Sequence, residues 1–122
     1  MVTEFLGVPV VELRFATLDW RHRGDHIRNR SQRKGFDECD VEPEWANEAV
    51  NDPDRLVAPD PGSRSGESVR IVGYSRSAGR VLTVIVVPKE LTAVSDEWWG
   101  ATAWASNETD QRKYYTELEE ER

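Results

Sequence analysis

Cysteine is nearly absent: Cys39 is the only one in 122 residues, which excludes an internal disulfide. Its neighbours Asp37, Glu38 and Asp40 oppose thiolate formation, so it is not read as a nucleophile. Histidine is scarce too. His22 and His26 lie four apart but have no carboxylate ligand following at a familiar spacing, which is a weak zinc signal, and no metal or other cofactor is expected. No stretch approaches the roughly 20 apolar residues of a membrane span. Residues 1–11 contain Glu4 and lack the basic start of a secretory signal, so the expected compartment is the cytoplasm, with no membrane partner. The sequence also lacks a phosphate-binding glycine loop and a serine-centred nucleophile elbow.

Charge is what the chain has in plenty. Charged residues make up 32% of it and the net charge is -7, but the distribution is uneven. Residues 21–34 carry Arg21, Arg23, Arg28, Arg30, Arg33 and Lys34 against the single Asp25. The following segment reverses sign, running through Asp37, Glu38, Asp40, Glu42, Glu44, Glu48, Asp52 and Asp54 before Arg55. Either the two blocks neutralise each other or face solvent, or the basic block is a localised anion-binding face on an acidic protein. In the second case the net charge gives no long-range steering, and nucleic-acid binding rests on the patch alone and weakens with salt.

With 38% hydrophobic residues the chain has material for one core, so 1–122 is read as a single domain. The β-branched segment 8–15 predicts a first strand, with Pro9 near an edge or a strand start. A short basic helix is expected within 24–34, stopped by Gly35. A second is expected over 42–51, with Pro43 in its first turn, Trp45, Ala46 and Ala49 on one face, and Asp52-Pro53 ending it. A short strand is expected at 56–58, and 59–67, rich in proline, glycine and serine, reads as a flexible loop. The clearest signal is a hairpin: Val69–Ser75 and 80–87 are β-branched runs joined by Arg76-Ser77-Ala78-Gly79. Both faces of the second run are apolar, which marks a central strand. Residues 98–104 predict another strand. Asn107 then caps a C-terminal helix whose inner face is expected to carry Gln111, Tyr114, Tyr115 and Leu118, with 119–122 as a frayed tail. The order makes an α+β domain.

Arg70 stands out because it lies inside an apolar strand, where an unpaired charge is costly. If the four-residue loop closes Ser75 opposite Arg80, Arg70 faces Ile85 and shares a sheet face with Tyr74, Thr83 and, farther along, Lys89. Four residues of strand put Lys89 about 13 Å from Ile85, a spacing that flanks an extended anionic backbone. The bland alternative is that Arg70 pairs with Glu67 or with a carboxylate of the C-terminal helix.

Several stretches, in this order, resemble the BrnT-type toxins, relatives of the RelE superfamily of small ribonuclease toxins. They are Arg33-Lys34-Gly35; Asn51-Asp52-Pro53; Glu67 with Arg70-Ile71-Val72-Gly73; Gly79-Arg80-Val81-Leu82; and Ala101-Thr102-Ala103-Trp104 leading to Asp110 and Tyr114. The resemblance spans roughly residues 18–115. It implies a RelE-like fold, a small twisted antiparallel sheet with two preceding helices and a C-terminal helix. It also implies a metal-independent endoribonuclease that inhibits translation, neutralised by a small, usually dimeric, DNA-binding antitoxin. Matched by position, Arg70, Lys89 and Lys34 are the expected catalytic cations, and His26 is an acid/base candidate. Arg28, Arg30, Arg33 and Arg80 are expected to hold RNA phosphates. Trp104 either stacks on a base or packs in the core.

One departure is plain. Where the family has an arginine in a Ser-Ala-Arg context near the end of the last strand, this chain reads Thr102-Ala103-Trp104-Ala105. Either another cation compensates, or activity is reduced, or the chain is a catalytically degenerate protein-interaction domain on the same fold.

Overall fold

The computed structural model describes residues 3–34 and 40–120; the side chains of Arg33 and Lys34, and the whole of Gly35, Cys39 and the last two residues, lie outside the described part. In chain order the elements are β1 (Glu4–Phe5), β2 (Val8–Pro9), a 3-10 turn (Val10–Glu12), β3 (Thr17–Asp19), α1 (Gly24–Arg28), α2 (Arg30–Lys34) and α3 (Pro43–Val50). They continue with β4 (Leu56–Pro59), β5 (Val69–Ser75), β6 (Arg80–Pro88), β7 (Glu97–Ala105) and α4 (Glu108–Glu120). This is an α+β arrangement. The main sheet has the order β3-β7-β6-β5-β4, and β1 and β2 form a separate two-stranded ribbon.

The central hairpin forms with the expected register: Ser75 lies opposite Arg80, and Arg70 opposite Ile85. Gly79 supplies the positive φ of 69° that the four-residue loop requires, and its N–H donates to Ser75 O at 2.9 Å. β6 sits between β5 and β7, and its run from Val81 to Val86 is buried, as its two apolar faces predict. On one face, Ala46, Ala49 and Val50 of α3 join Val69, Ile71, Leu82, Val84 and Val86 in the main core, while Trp45 packs at its edge. On the other face, Tyr114 of α4 covers Val72 and Val81.

The register of β7 decides which aromatic rings enter the core. Trp98 lies opposite Pro88 and is fully buried, whereas Trp99 lies opposite Val87 on the α4 face. A bulge at Ile85/Val86 leaves Ala101 unpaired, after which Ala103 points into the core and Thr102 and Trp104 point the other way.

Several expectations need correction. Residues 8–15 do not make one strand: Leu6 and Gly7 turn the chain at positive φ, only Val8 and Pro9 pair, and the chain then enters the 3-10 turn at Pro9, whose ring fixes φ. The strand that joins the main sheet is β3, and it pairs with β7 in parallel, so the sheet is mixed rather than wholly antiparallel. The basic segment is two short helices rather than one, because Asn29 leaves the helical region at φ -114°, ψ 27°. Three helices therefore lie between β3 and β4, not two ahead of the whole sheet. Pro59 belongs to β4, and the connection after it is organised by Asp60, whose carboxylate accepts from Gly62 N and Ser68 Oγ.

Asn107 caps α4, accepting from Asp110 N at 2.8 Å. The inward residues of that helix are Asp110, Tyr114 and Leu118. Gln111 instead turns back to Ser106 O, and Tyr115 is exposed. Among the described residues no helix is long and apolar enough to cross a membrane.

Glu48 fastens the hairpin tip to α3. Its carboxylate accepts from Ser75 Oγ (2.7 Å), Ser77 N (2.9 Å) and Ser77 Oγ (2.7 Å). These bonds, the Ser77 hydroxyl first, hold the carboxyl below its usual pKa. A depressed carboxylate stabilises the fold above its unfolded pKa and ceases to do so as pH falls through the folded one. Glu48→Ala is therefore expected to lower unfolding free energy by about 1–2 kcal/mol at neutral pH. In urea melts, the gap between variant and parent should close as the pH is taken below the carboxylate range.

Candidate nucleic-acid interface

The basic segment does not stand free in solvent. α1 and the residues before it pack against β7, and this brings cations from two parts of the chain onto its two outward tryptophans. At Trp99, the Lys89 ammonium lies 4.3 Å from the ring centroid and the Arg21 guanidinium 5.8 Å away, while the His22 ring is 5.0 Å off and tilted. At Trp104, the Arg30 guanidinium stands 5.3 Å over the ring. Between them, Arg23 donates from Nε to Ala101 O at 3.0 Å and from Nη2 to His26 Nε2 at 3.2 Å. A guanidinium can only donate, so His26 Nε2 is the acceptor and that lone pair is engaged.

The cations near Trp99 are themselves held. Asp19 accepts from Lys89 Nζ at 3.0 Å and forms an ion pair with Arg21 at 2.8 Å. The Arg21 backbone N–H, the Arg21 side chain and Lys89, in that order, keep the Asp19 carboxyl well below the usual carboxylate range. Asp19 therefore stays ionised, and these cations stay seated, at pH values where exposed carboxylates have already protonated. A carboxylate NMR titration is expected to find Asp19 titrating below the usual carboxylate range, and Asp19→Asn is expected to remove stability that the parent keeps until pH falls through that low folded pKa.

The expected site residues are only partly gathered here. Lys89, His26, Arg30 and Trp104 belong to this face. Arg70 shares the face through its pairing with Ile85, which in turn pairs with Thr102 of β7. Arg70 nonetheless lines a separate cleft with Asp110, Lys113 and Glu117 of α4, and makes no ion pair among the described residues. Neither the Glu67 pair nor a direct bridge to α4 forms. Arg28 is turned to the acidic block, bonding Glu42 at 3.1 Å and Asp25 at 3.3 Å. Ser31 likewise bonds Asp40, so the two charge blocks do meet in part. Arg80 is exposed at the hairpin end, on the α3 face by strand parity. The side chains of Arg33 and Lys34 lie outside the described residues.

Trp104 is only partly buried and lies outside the core, because the bulge turns it to the Arg30 side. Ala105, by contrast, faces the core, where a guanidinium would have no partner. Sequence reading missed Trp99, Arg21, His22 and Arg23 as a group. The Trp98-Trp99 pair in a strand was the available signal, since adjacent strand residues face opposite ways and one indole must leave the core. No protein-family model matches the chain, and no curated protein matches it in sequence.

Proposed function

We propose that the protein acts on RNA through the β7 face, as the toxin of a type II toxin-antitoxin pair: a BrnT-type, RelE-like, metal-independent endoribonuclease of the cytoplasm. The observation that carries this reading is the row of Arg21, Arg23, Arg30 and Lys89 around Trp99 and Trp104, cations interleaved with aromatic faces on an otherwise acidic chain. Guanidinium groups meet phosphate charge, and indoles accept unpaired bases whatever their sequence.

Arg30 also bears on the missing strand arginine. It reaches across to Trp104 and supplies a cation where the resemblance expects one. In the reaction a ribose 2′-oxygen bonds to the adjacent phosphorus as the bond to the 5′-oxygen breaks; the 2′-hydroxyl proton is lost and the 5′-oxygen gains one. Arg30 beside Trp104, and Arg70 from the separate cleft on the same sheet face, would stabilise the charge that develops on the phosphoryl oxygens.

Purified protein is expected to cleave RNA in the presence of chelator, and expression without an antitoxin to arrest growth. Arg30→Ala and Arg70→Ala should each lower cleavage about 100-fold with the fold retained. Undiminished cleavage in Arg70→Ala removes that residue from the mechanism. The second reading, a degenerate protein-interaction domain, draws support from Lys89, whose ammonium is committed to Asp19. It predicts a stable complex with a partner antitoxin and no cleavage at any enzyme concentration.

A further inference from the structure

We infer that the cleft beside Trp99 is a nucleobase subsite, which makes the ligand of the β7 face single-stranded RNA; the inference rests on the RNA reading above. The cleft has a volume of about 340 Å³ and is lined by His22, Arg23, Val87, Trp99, Gly100 and Ala101. Most of that lining is apolar, on a face whose rim is cationic. A phosphate gains nothing from Val87, Ala101 and an indole wall, whereas a flat heterocycle buries its faces there.

The polar groups stand where a base's flanking phosphates need them. Arg23, a lining residue of the cleft, donates to Ala101 O, and Lys89, held by Asp19, lies over the Trp99 ring that walls it. Each cation is thus held beside the indole by a partner of its own. His22 has its ring against Trp99, which gives the cleft a second aromatic wall. Bases in a duplex are stacked on one another and cannot enter such a slot, so the geometry selects unpaired strands.

The test is fluorescence anisotropy with a labelled single-stranded oligoribonucleotide, competed by duplex RNA and by inorganic polyphosphate. Trp99→Ala is expected to weaken single-strand binding about tenfold, with Trp99→Phe recovering most of it and polyphosphate affinity unchanged. Ala101→Leu, which fills the slot while keeping the indole, should lower the same affinity. An equal loss of RNA and polyphosphate affinity in Trp99→Ala would mean the ring only seats Lys89 and Arg21, and overturns the subsite while leaving the RNA reading intact. Duplex bound as tightly as single strand overturns it as well. Trp99-dependent binding without cleavage upholds the subsite and sinks the nuclease reading instead.

Discussion

Replacing Trp98 by alanine is expected to lower the unfolding free energy by about 3–5 kcal/mol, a large part of what a domain of this size has. The indole is fully buried, with Phe15 at 4.8 Å and Phe5 at 6.0 Å between ring centroids, and its N–H donates to Arg14 O at 2.8 Å. Truncation opens a cavity and leaves that carbonyl without its donor. The ring also joins the N-terminal ribbon to β7, so the loss should fall unevenly. Amides of residues 3–15 are expected to lose hydrogen-exchange protection before those of the central hairpin. The neighbouring Trp99→Ala makes the control. It removes a partly exposed ring and should change stability by less than about 1 kcal/mol. Equal costs at the two positions in urea titrations would contradict the strand parity that places one indole in the core and the other outside it.

The second large effect is expected at Gly73, midway along β5. A Cβ there would lie 2.8 Å from the carbonyl carbon of Ala49 and closer still to its oxygen. The obstacle is main chain, so no rotamer relieves it. Gly73→Ala must push α3 off the sheet, loosening Ala46, Ala49 and Val50 together, and should destabilise by about 3 kcal/mol, the upper end of overpacking. The melting temperature should fall by roughly 10 °C. Ala49→Gly in the same chain should not rescue it, because the clashing carbonyl remains. A melting temperature within a degree of the parent would show that α3 does not approach β5 this closely. Gly100 repeats the arrangement against a side chain: a Cβ there would enter the Trp20 ring, whose N–H is tied to Asn47 Oδ1.

The hairpin, α3 and α4 were legible because their signals are local: β-branched runs around a glycine turn, proline in a first turn, asparagine at a cap. The close approach at Gly73 was not, since nothing near residue 73 in the sequence announces Ala49. The same limit applies at the edge of the sheet. Three residues of β3 carry no pattern of their own and become a strand only because β7 lies beside them, which is why 8–15, richer in β-branched residues, looked the better prospect. For the candidate site, the basic block was visible as composition, but not which of its members reach β7. Arg23 and Arg28 are five residues apart, yet one is fixed to a strand and the other to the acidic block. Only the β7 bulge reveals which of Trp104 and Ala105 faces the core.

The parallel pairing of β3 with β7 bears on when the candidate site forms during synthesis. Arg23 meets Ala101 across 78 residues of chain, so the part of the basic segment that reaches the sheet has no partner there until β7 has left the ribosome. Long-range closure of this kind is slow and comes late. Until then Arg21 and Arg30 have no outward tryptophan to lie over. A nascent chain stalled before β7 would carry the charge but not the site, and the emergence of the last strand would act as the switch between the two.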